Sequence, residues 1–218
     1  MRLTSPLLAR SLFRDRVDAG RRLAEKLDHY RGKHPVVLGI PRGGVPVAAE
    51  IARRLDGVLD VVVARKLGAP QHAELAIGAV TANGGRFLND DVIRALKVSE
   101  EYLATVTAEQ MAEARRREER FRRGRAPLDL KGKPVILVDD GLATGATMRA
   151  AARAARARGP ERLVAAVPVG SADAVTALKQ EVDEMVCLAE PEPLIAIGLH
   201  YGDFAQVDDA RVLELLKR

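Results

Sequence analysis

The 218-residue chain is predicted to fold as an α/β protein built on a mainly parallel sheet. Two stretches lead to this prediction, because in each a short apolar run passes through a loop of small residues into a helix. The first joins a strand at 35–40 to a helix at 45–55, and the second joins a strand at 135–138 to a helix at 148–158. Such strand–loop–helix units are typical of parallel sheets covered by helices. Further apolar, β-branched runs predict strands at 58–64, 163–169 and 182–189.

No internal repeat or low-complexity linker interrupts the chain, so residues 1–218 are expected to form one domain. Its largest addition to the parallel sheet lies at about 76–125. This addition reads as a hairpin around the turn Asn83-Gly84-Gly85, followed by two helices at 90–96 and 99–123. Amphipathic patterns predict further helices at 12–31, 172–181 and 208–217, and the expected N-caps are Ser99 and Ser171.

Composition limits the classes of function that the chain can have. Apolar residues make up 47% and charged residues 30%, which indicates a globular protein. Aromatic residues make up only 3%, and this argues against nucleic-acid binding by extensive base stacking. The net charge of +5 suits a phosphate-rich substrate as well as nucleic acid.

Cysteine content and hydropathy point to a cytoplasmic location. The single cysteine, Cys187, excludes an internal disulfide framework and is consistent with a reducing compartment. No apolar run approaches the roughly 18 residues that a membrane helix needs, and no signal peptide is visible. We therefore expect a cytoplasmic protein that has no membrane partner.

The stretch from Val135 to Thr147, VILVDDGLATGAT, has the pattern of a sugar-phosphate site. Its strand is followed by two adjacent carboxylates, Asp139 and Asp140, which suit vicinal hydroxyls or the water shell of Mg²⁺. The small-residue loop that follows, residues 141–147, can bring backbone N–H groups and a helix N-terminus to a phosphate. An acidic helix cap followed by an ordinary turn is the alternative interpretation. The joint occurrence of the apolar run, the acids and the loop favours a ligand site.

The same stretch resembles the phosphoribosyl-pyrophosphate (PRPP) signature of the type I phosphoribosyltransferases. The resemblance implies a three-layer α/β/α core with a mainly parallel sheet, plus a variable hood. It also implies that Asp139 and Asp140 contact the ribose hydroxyls of PRPP. The residues that would hold the ribose and its 5′-phosphate with them are Gly141, Ala143, Thr144, Gly145, Ala146 and Thr147.

A second loop suited to anions follows the first strand. This Gly-pair loop, residues 41–44 with the sequence PRGG, has two glycines that allow close backbone approach, and its arginine can grip a phosphate through two N–H groups. Beside the PRPP signature it resembles the family's pyrophosphate loop, which often contains a cis peptide. The resemblance implies pyrophosphate binding by Arg42, Gly43 and Gly44, whereas a plain turn is the alternative. The sequence leaves open whether the Arg42–Gly43 peptide is cis.

The segment 65–72, RKLGAPQH, is predicted to be a mobile loop over the site. An Arg-Lys pair at this point resembles the adenine phosphoribosyltransferases, and the resemblance implies that Lys66 contacts pyrophosphate. His72 and Glu74 are the nearby candidates for proton transfer. A solvent-exposed loop residue is the simpler interpretation of His72.

The tail, residues 190–206, is rich in Pro and Gly and contains two of the few aromatic residues, Tyr201 and Phe204. The family resemblance makes the tail a candidate for the hood that covers the base. Tyr201 or Phe204 would then pack on the acceptor ring. A tail that only packs on the core is the alternative.

The resemblance implies a reaction in which a nitrogen acceptor displaces pyrophosphate from C1 of PRPP. The catalytic residues that it implies are Asp139, Asp140, Arg42 and Lys66. Mg²⁺ would be carried mainly by PRPP near the two acids, without direct protein ligands. Hypoxanthine–guanine enzymes have an acid where this chain has Ala143, whereas adenine enzymes have alanine there. The acceptor is therefore left open, and a nucleobase in nucleotide salvage is the expected class.

Residues 115–125 carry seven arginines, and this run leaves other classes of function open. Such a run is typical of a solvated helix face or of a subunit contact in a homo-oligomer such as a dimer. The alternative is a nucleic-acid patch on a PRPP-sensing regulator of the same fold. Pairing of Glu118 and Glu119 with Arg115, Arg122 and Arg123 would reduce the free charge, so we favour an enzyme without a nucleic-acid partner. A sugar-phosphate binder unrelated to salvage is a third class.

Overall fold

The computed structural model describes residues 11–217. The strands are β1 Val36–Gly39, β2 Val58–Val61, β3 Ala64–Ala69, β4 His72–Thr81, β5 Arg86–Leu88, β6 Pro134–Val138, β7 Arg162–Val169 and β8 Glu184–Ala189. The helices are α1 Arg16–Lys26, α2 Gly44–Leu55, α3 Asp90–Ala95, α4 Glu100–Arg122, α5 Ala146–Arg156, α6 Ala172–Leu178 and α7 Asp209–Leu215. Short 3-10 turns lie at Asp28–Tyr30 and Ile197–His200. Among the helices of this described part, none is both long and apolar enough to cross a membrane.

The larger sheet is entirely parallel and has the strand order β2-β1-β6-β7-β8. Side chains along each strand alternate between its two faces, and here both faces are apolar. Leu38 and Leu137 pack on one face with α5 and α6, whereas Val37 and Ile136 pack on the other with α1 and α2. The predicted three-layer α/β/α core is confirmed.

Strand order places the loops after β1 and β6 side by side. These two strands are neighbours, and Gly39 at the end of β1 lies opposite Val138 at the end of β6. Beyond β6, Leu142 forms a bridge to Gly170, and its N–H donates to the carbonyl of Val169 at 2.8 Å. This bridge anchors the first half of the small-residue loop to the end of β7.

The smaller sheet is antiparallel and has the order β3-β4-β5. In its second pair, Gly78 lies opposite Leu88 and Val80 lies opposite Arg86. This pairing confirms the predicted hairpin around Asn83-Gly84-Gly85. The sheet packs on α4 and α5, so it stands beside the parallel sheet rather than extending it.

The prediction of a mobile loop at 65–72 is wrong for most of this segment. Residues 64–69 form β3 and pair with β4. Leu67 and Ala69 are buried in the cluster between this sheet and α4, and burial of their side chains outweighs the Gly and Pro signals. The chain turns only at Pro70-Gln71, where Gln71 has a φ of 63°.

Side-chain caps decide where several helices begin. Ser99 and Ser171 each accept a hydrogen bond from the backbone N–H three residues further on, which confirms both predicted N-caps. Asp15 caps α1 in the same way, so this helix begins at Arg16 and not at residue 12. The helix predicted at 172–181 is shorter than expected, because α6 ends at Leu178.

The tail packs against the segment that precedes α1. Phe13 and Tyr201 form an isolated parallel bridge, in which the N–H of Phe13 donates to the carbonyl of His200 at 3.0 Å. The rings of Phe13 and Tyr201 are buried together with Val169 at the end of β7. The tail is therefore held beside the loops that follow β6 and β7.

Candidate active site

The Gly-pair loop and the acidic pair are in direct contact. A Cβ atom on Gly43 would overlap the carboxylate of Asp140, and one on Gly44 would lie 2.8 Å from the Cα atom of Asp139. Only glycine at both positions allows the loop to lie against the end of β6. The N–H of Asp140 donates to Oδ1 of Asp139 at 2.8 Å, which fixes the orientation of the first carboxylate.

The two carboxylates have different surroundings. Burial raises the pKa of Asp139 well above its usual range, and the neighbouring carboxylate of Asp140 raises it further. Asp140 forms an ion pair with Arg16, whose Nε lies 2.7 Å from its Oδ2. Asp139 thus retains its proton more readily than an exposed aspartic acid does, while Asp140 has a cationic partner.

Arg16 is a site residue that the sequence does not reveal. Its guanidinium lies 3.8 Å from the ring centroid of Phe204, and its Nη1 donates to the carbonyl of Ala205 at 2.8 Å. Asp140 is 124 residues away along the chain, and the helix around Arg16 has an ordinary amphipathic pattern. No local signal distinguishes this arginine from Arg22 on the same helix.

The small-residue loop enters α5 through a left-handed turn at Gly145, where φ is 75°. The hydroxyl of Ser171 supports the loop by donating to the carbonyl of Ala143 at 2.7 Å. Thr144 is exposed and Thr147 is half-buried. No side chain of the described residues caps α5, so its first N–H groups are open to an anion.

Arg42 lies at the rim of the site and contacts α7. The cis peptide of the Gly-pair loop is Pro41–Arg42, one bond before the Arg42–Gly43 peptide that the sequence left open. The guanidinium of Arg42 lies 3.6 Å from the carboxylate of Asp209. Asp209 also lies 2.9 Å from Arg120 at the end of α4. Arg42 is therefore held by a carboxylate that it shares with the arginine-rich helix.

A cavity of about 490 Å³ joins these groups. Ile197 of the tail lies directly over Gly141, where a Cβ atom would overlap its side chain. The cavity thus connects Asp140 of the acidic pair, the Gly-pair loop and the tail. Its lining consists of Arg16, Arg42, Gly43, Asp140, Ile197, Phe204, Gln206 and Val207.

Lys66, His72 and Glu74 lie on the smaller sheet, outside the lining of this cavity. Lys66 is exposed on β3, opposite Ala79 of β4. His72 and Glu74 are both exposed on β4, close to the turn at Pro70-Gln71. The roles expected for these three residues stay predictions.

A second cavity, of about 1150 Å³, shares the small-residue loop. Thr144 and Ser171 lie in its wall, together with Arg149 and Arg153 of α5. Both arginines are paired with Glu181, at 2.6 Å and 3.0 Å. Glu181 thus offsets only one of these two positive charges, and the exposed side chain of Thr144 lines the same cavity.

The two aromatic residues of the tail have different environments. Tyr201 is 6% exposed, its ring centroid lies 5.3 Å from that of Phe13, and its hydroxyl donates to the carbonyl of Asp140 at 2.6 Å. Burial raises the pKa of Tyr201 well above its usual range, so this hydroxyl remains a protonated donor. Phe204 is half-buried in the wall of the smaller cavity. Of the two rings, Phe204 is the one that lines open space.

Comparison with known families agrees with this arrangement. The model of the phosphoribosyl transferase domain family matches residues 12–201, which is most of the chain. The chain belongs to this family. The matched part contains both loops, the acidic pair and Arg16.

Two proteins are similar to nearly the whole of this chain. A Mycobacterium tuberculosis protein, provisionally named a phosphoribosyl transferase in strains CDC 1551 and H37Rv, is 49% identical over 207 residues. The match covers 95% of this chain and 47% of that protein, so the chain spans about half the length of the curated relatives it matches. The crystal structure of TT1426 from Thermus thermophilus is 48% identical, with a TM-score of 0.79. That alignment covers 94% of this chain and 97% of TT1426.

The acidic pair of this phosphoribosyl transferase domain suits a metal ion that arrives with its substrate. Within residues 11–217, no three His, Cys, Asp or Glu side chains form a group that could hold a metal. Asp140 lines the smaller cavity with its carboxylate, and the adjacent carboxyl group of Asp139 accepts the N–H of Asp140. Mg²⁺ typically keeps several waters and binds through one or two carboxylates together with substrate phosphates. The donor set therefore fits Mg²⁺ held mainly by a phosphorylated ligand.

The arginine-rich end of α4 is largely engaged within the domain. Arg122 is buried and lies 3.1 Å from Asp60 and 2.6 Å from Glu118, which confirms the pairing expected for Glu118. Further bonds and pairs in this run are Arg115 with the carbonyl of Ala82, Arg116 and Arg117 with Glu113, Arg120 with Asp209, and Arg125 with the carbonyl of Leu216. Most of the positive charge is thus paired or bonded inside the molecule.

Proposed function

We propose that this chain transfers the 5-phosphoribosyl group of PRPP to a nitrogen acceptor and releases pyrophosphate. The contact between Gly43 and the carboxylate of Asp140 carries this proposal. It places the loop proposed to bind pyrophosphate against the acids proposed to bind ribose. These two parts of the ligand are also adjacent in PRPP, because its pyrophosphate is attached to C1 of the ribose.

The acidic pair and the small-residue loop would hold the ribose 5-phosphate. Arg16 takes Oδ2 of Asp140, which leaves Oδ1 to accept a hydrogen bond from a ribose hydroxyl. Asp139, whose pKa is raised, can donate its own proton to a neighbouring hydroxyl oxygen. The backbone N–H groups of residues 143–147 and the N-terminus of α5 suit the 5′-phosphate. A ribose held at both ends presents C1 to the acceptor in a fixed direction.

The Gly-pair loop would stabilise the leaving group. The reaction breaks the bond between C1 and a pyrophosphate oxygen and forms a bond between C1 and the acceptor nitrogen. Pyrophosphate leaves with the electron pair, and the acceptor gives up its N–H proton. Arg42 and the backbone N–H of Gly43 would face the growing negative charge, and Lys66 is a further proposed contact. The N–H of Gly44 donates to the carbonyl of Ile40 at 3.0 Å, so Gly44 would contribute through its lack of a side chain. When it is bound with PRPP, Mg²⁺ supplies additional positive charge at the same oxygens.

The acceptor is proposed to be a small planar nitrogen compound, with a nucleobase as the expected class. Phe204 and Ile197 form an apolar part of the cavity wall that suits a ring. At the position where hypoxanthine–guanine enzymes have an acid, this chain has Ala143. The acceptor proton is therefore expected to leave through another group or through water. The homo-oligomeric state, the hood role of residues 190–206 and the cytoplasmic location stay predictions.

A PRPP-sensing regulator that binds nucleic acid is the second candidate. It depends on free positive charge at residues 115–125. Most arginines of that run are paired or bonded within the domain, and this favours the enzyme.

Pyrophosphate release tests the proposal. The wild-type protein is incubated with PRPP, Mg²⁺ and a panel of purines, pyrimidines and other nitrogen acceptors. We expect at least one acceptor to raise release above the acceptor-free background, and the variant Asp139→Asn/Asp140→Asn to lose this increase. No increase with any acceptor, together with tight binding of one defined RNA at physiological salt, would favour the regulator.

A further inference from the structure

We propose that Arg16 is a positioning residue that couples the tail to the ribose acid Asp140. The inference rests on the proposed function, because it assumes that the ribose of PRPP binds at Asp140. One guanidinium joins three parts of the cavity. Its Nε lies 2.7 Å from Oδ2 of Asp140, its Nη1 lies 2.8 Å from the carbonyl oxygen of Ala205, and its carbon lies 3.8 Å from the ring centroid of Phe204.

The ion pair is well shielded from water, since the side chains of Arg16 and Asp140 are 12% and 17% exposed. A shielded pair is screened less by salt than a pair on the surface. The guanidinium is planar and its donors are fixed in that plane, so contacts with Ala205 and Phe204 also fix the direction of Nε. Asp140 is thereby held with Oδ2 on Arg16, and Oδ1 has no hydrogen-bond partner among residues 11–217.

Two polar contacts link the tail to Asp140 itself. Tyr201 donates to the backbone carbonyl of Asp140, whereas Arg16 links Phe204 and Ala205 to its carboxylate. The first contact does not involve the ligand-binding group, but the second shares the carboxylate with the ligand. Ribose binding at Asp140 should therefore order the tail through Arg16. By thermodynamic reciprocity, an ordered tail should favour ribose binding.

Arg22 provides a matched control on the same helix. Its guanidinium lies 4.7 Å from the ring centroid of Phe13 and donates to the carbonyl of Leu12 at 2.6 Å. It thus has an aromatic partner and a carbonyl partner, as Arg16 has. In the described part of the chain it pairs with no carboxylate.

Calorimetric titration of PRPP with Mg²⁺ measures the effect on binding. Arg16→Gln should raise the Kd about 10-fold or more, which corresponds to roughly 1.4 kcal/mol per decade. Arg16→Lys should recover part of the affinity, because it keeps the charge but loses the planar fork. Arg22→Gln should bind PRPP as the wild type does.

Hydrogen exchange of the peptide 197–206 measures the coupling to the tail. PRPP should slow exchange of this peptide in the wild type and in Arg22→Gln, but not in Arg16→Gln. A merely structural role of Arg16 would instead change exchange equally with and without PRPP. If Arg16→Gln does not fold, Arg16→Lys replaces it, because it keeps the charge but loses the planar fork that joins Asp140 to Ala205. If PRPP slowed exchange in Arg16→Lys as much as in the wild type, the proposal would be overturned.

The outcomes separate this inference from the proposed function. A wild-type protein that does not bind PRPP would overturn both. PRPP binding by the wild type with equal affinity in Arg16→Gln would overturn the role of Arg16 alone. Weaker binding in Arg16→Gln with unchanged protection of residues 197–206 would overturn the coupling to the tail.

Discussion

At the scale of single residues, Asp139 and Asp140 are adjacent in sequence but have opposite relations to the folded state. The pKa of Asp139 is raised by burial and by its neighbour, so ionisation of this carboxyl opposes folding. The stability that protonated Asp139 contributes to the fold is fully present when the pH is below the unfolded pKa of about 3.9. This stability is lost as the pH rises through the higher folded pKa. Asp140, in contrast, pairs with Arg16 and supports the fold through its charge.

The two Asn variants should therefore change stability in opposite directions. Asp139→Asn should raise the free energy of unfolding at pH 7, and the difference from the wild type should shrink towards pH 4. Asp140→Asn should lower the free energy of unfolding by roughly 1–2 kcal/mol, because it leaves Arg16 without its carboxylate. This loss is smaller than the 3–5 kcal/mol typical of a fully buried pair. Urea denaturation at both pH values measures this. Destabilisation of equal size in the two variants at pH 7 would refute the view that burial opposes ionisation of Asp139 while Arg16 stabilises the charge of Asp140.

Arg42 is predicted to act on turnover. Arg42→Ala should lower kcat more than it raises KM for PRPP, because charge on pyrophosphate increases towards the transition state. Arg42 also pairs with Asp209. Asp209→Asn is the control, since it removes that pair and keeps the guanidinium, and it should keep most of the kcat. Steady-state kinetics in which Arg42→Ala changes only KM would show a ground-state anchor instead.

At the scale of elements, the end of α4 shows why a charge run should not be counted as free charge. Arg122 is buried between Asp60 and Glu118, where it ties α4 to β2. Arg116 and Arg117 share Glu113, whose pKa is lowered by their hydrogen bonds. The arginines of such a helix contribute more to packing and solvation than to long-range attraction of nucleic acid.

We accordingly expect only weak, nonspecific binding of nucleic acid by α4. Arg116, Arg117 and Arg123 changed together to Gln should alter binding of unrelated RNA and DNA little. Arg120 is left intact, because its partner Asp209 also contacts Arg42. Binding is measured across a salt series, where each lost phosphate contact flattens the slope by about 0.7–0.9. Tight binding to one RNA at physiological salt, lost in the triple variant, would contradict this expectation.

Local patterns predict the elements whose causes are themselves local. The strands before the two loops, the turn at Asn83-Gly84-Gly85 and the caps at Ser99 and Ser171 all depend on residues within a few positions. β3 was mispredicted because Gly68 and Pro70 suggested a loop, while its strand character comes from packing on α4. Arg16 was missed for a related reason, since its partner is 124 residues away.

At the scale of the whole molecule, the site is assembled from parts that are distant in sequence. The parallel order places β1 beside β6, and this alone brings the Gly-pair loop to the acidic pair. The bridge between Phe13 and Tyr201 then holds the tail and the start of α1 over the same edge. Ligands of open α/β sheets bind at this carboxyl edge. The general position of the site therefore follows from topology, while its contacts with α1 and the tail follow from tertiary packing.

Binding of PRPP at the acidic pair is the central claim, and calorimetry tests it most directly. PRPP with Mg²⁺ is titrated into the wild type and into Asp139→Asn/Asp140→Asn, after a check that the variant is folded. We predict binding by the wild type and a Kd about 10-fold higher or more in the variant, because the charge of Asp140 and the acidic proton of Asp139 are lost while the shape is kept. Equal affinity of the two proteins for PRPP, or no binding by the wild type, would contradict the claim.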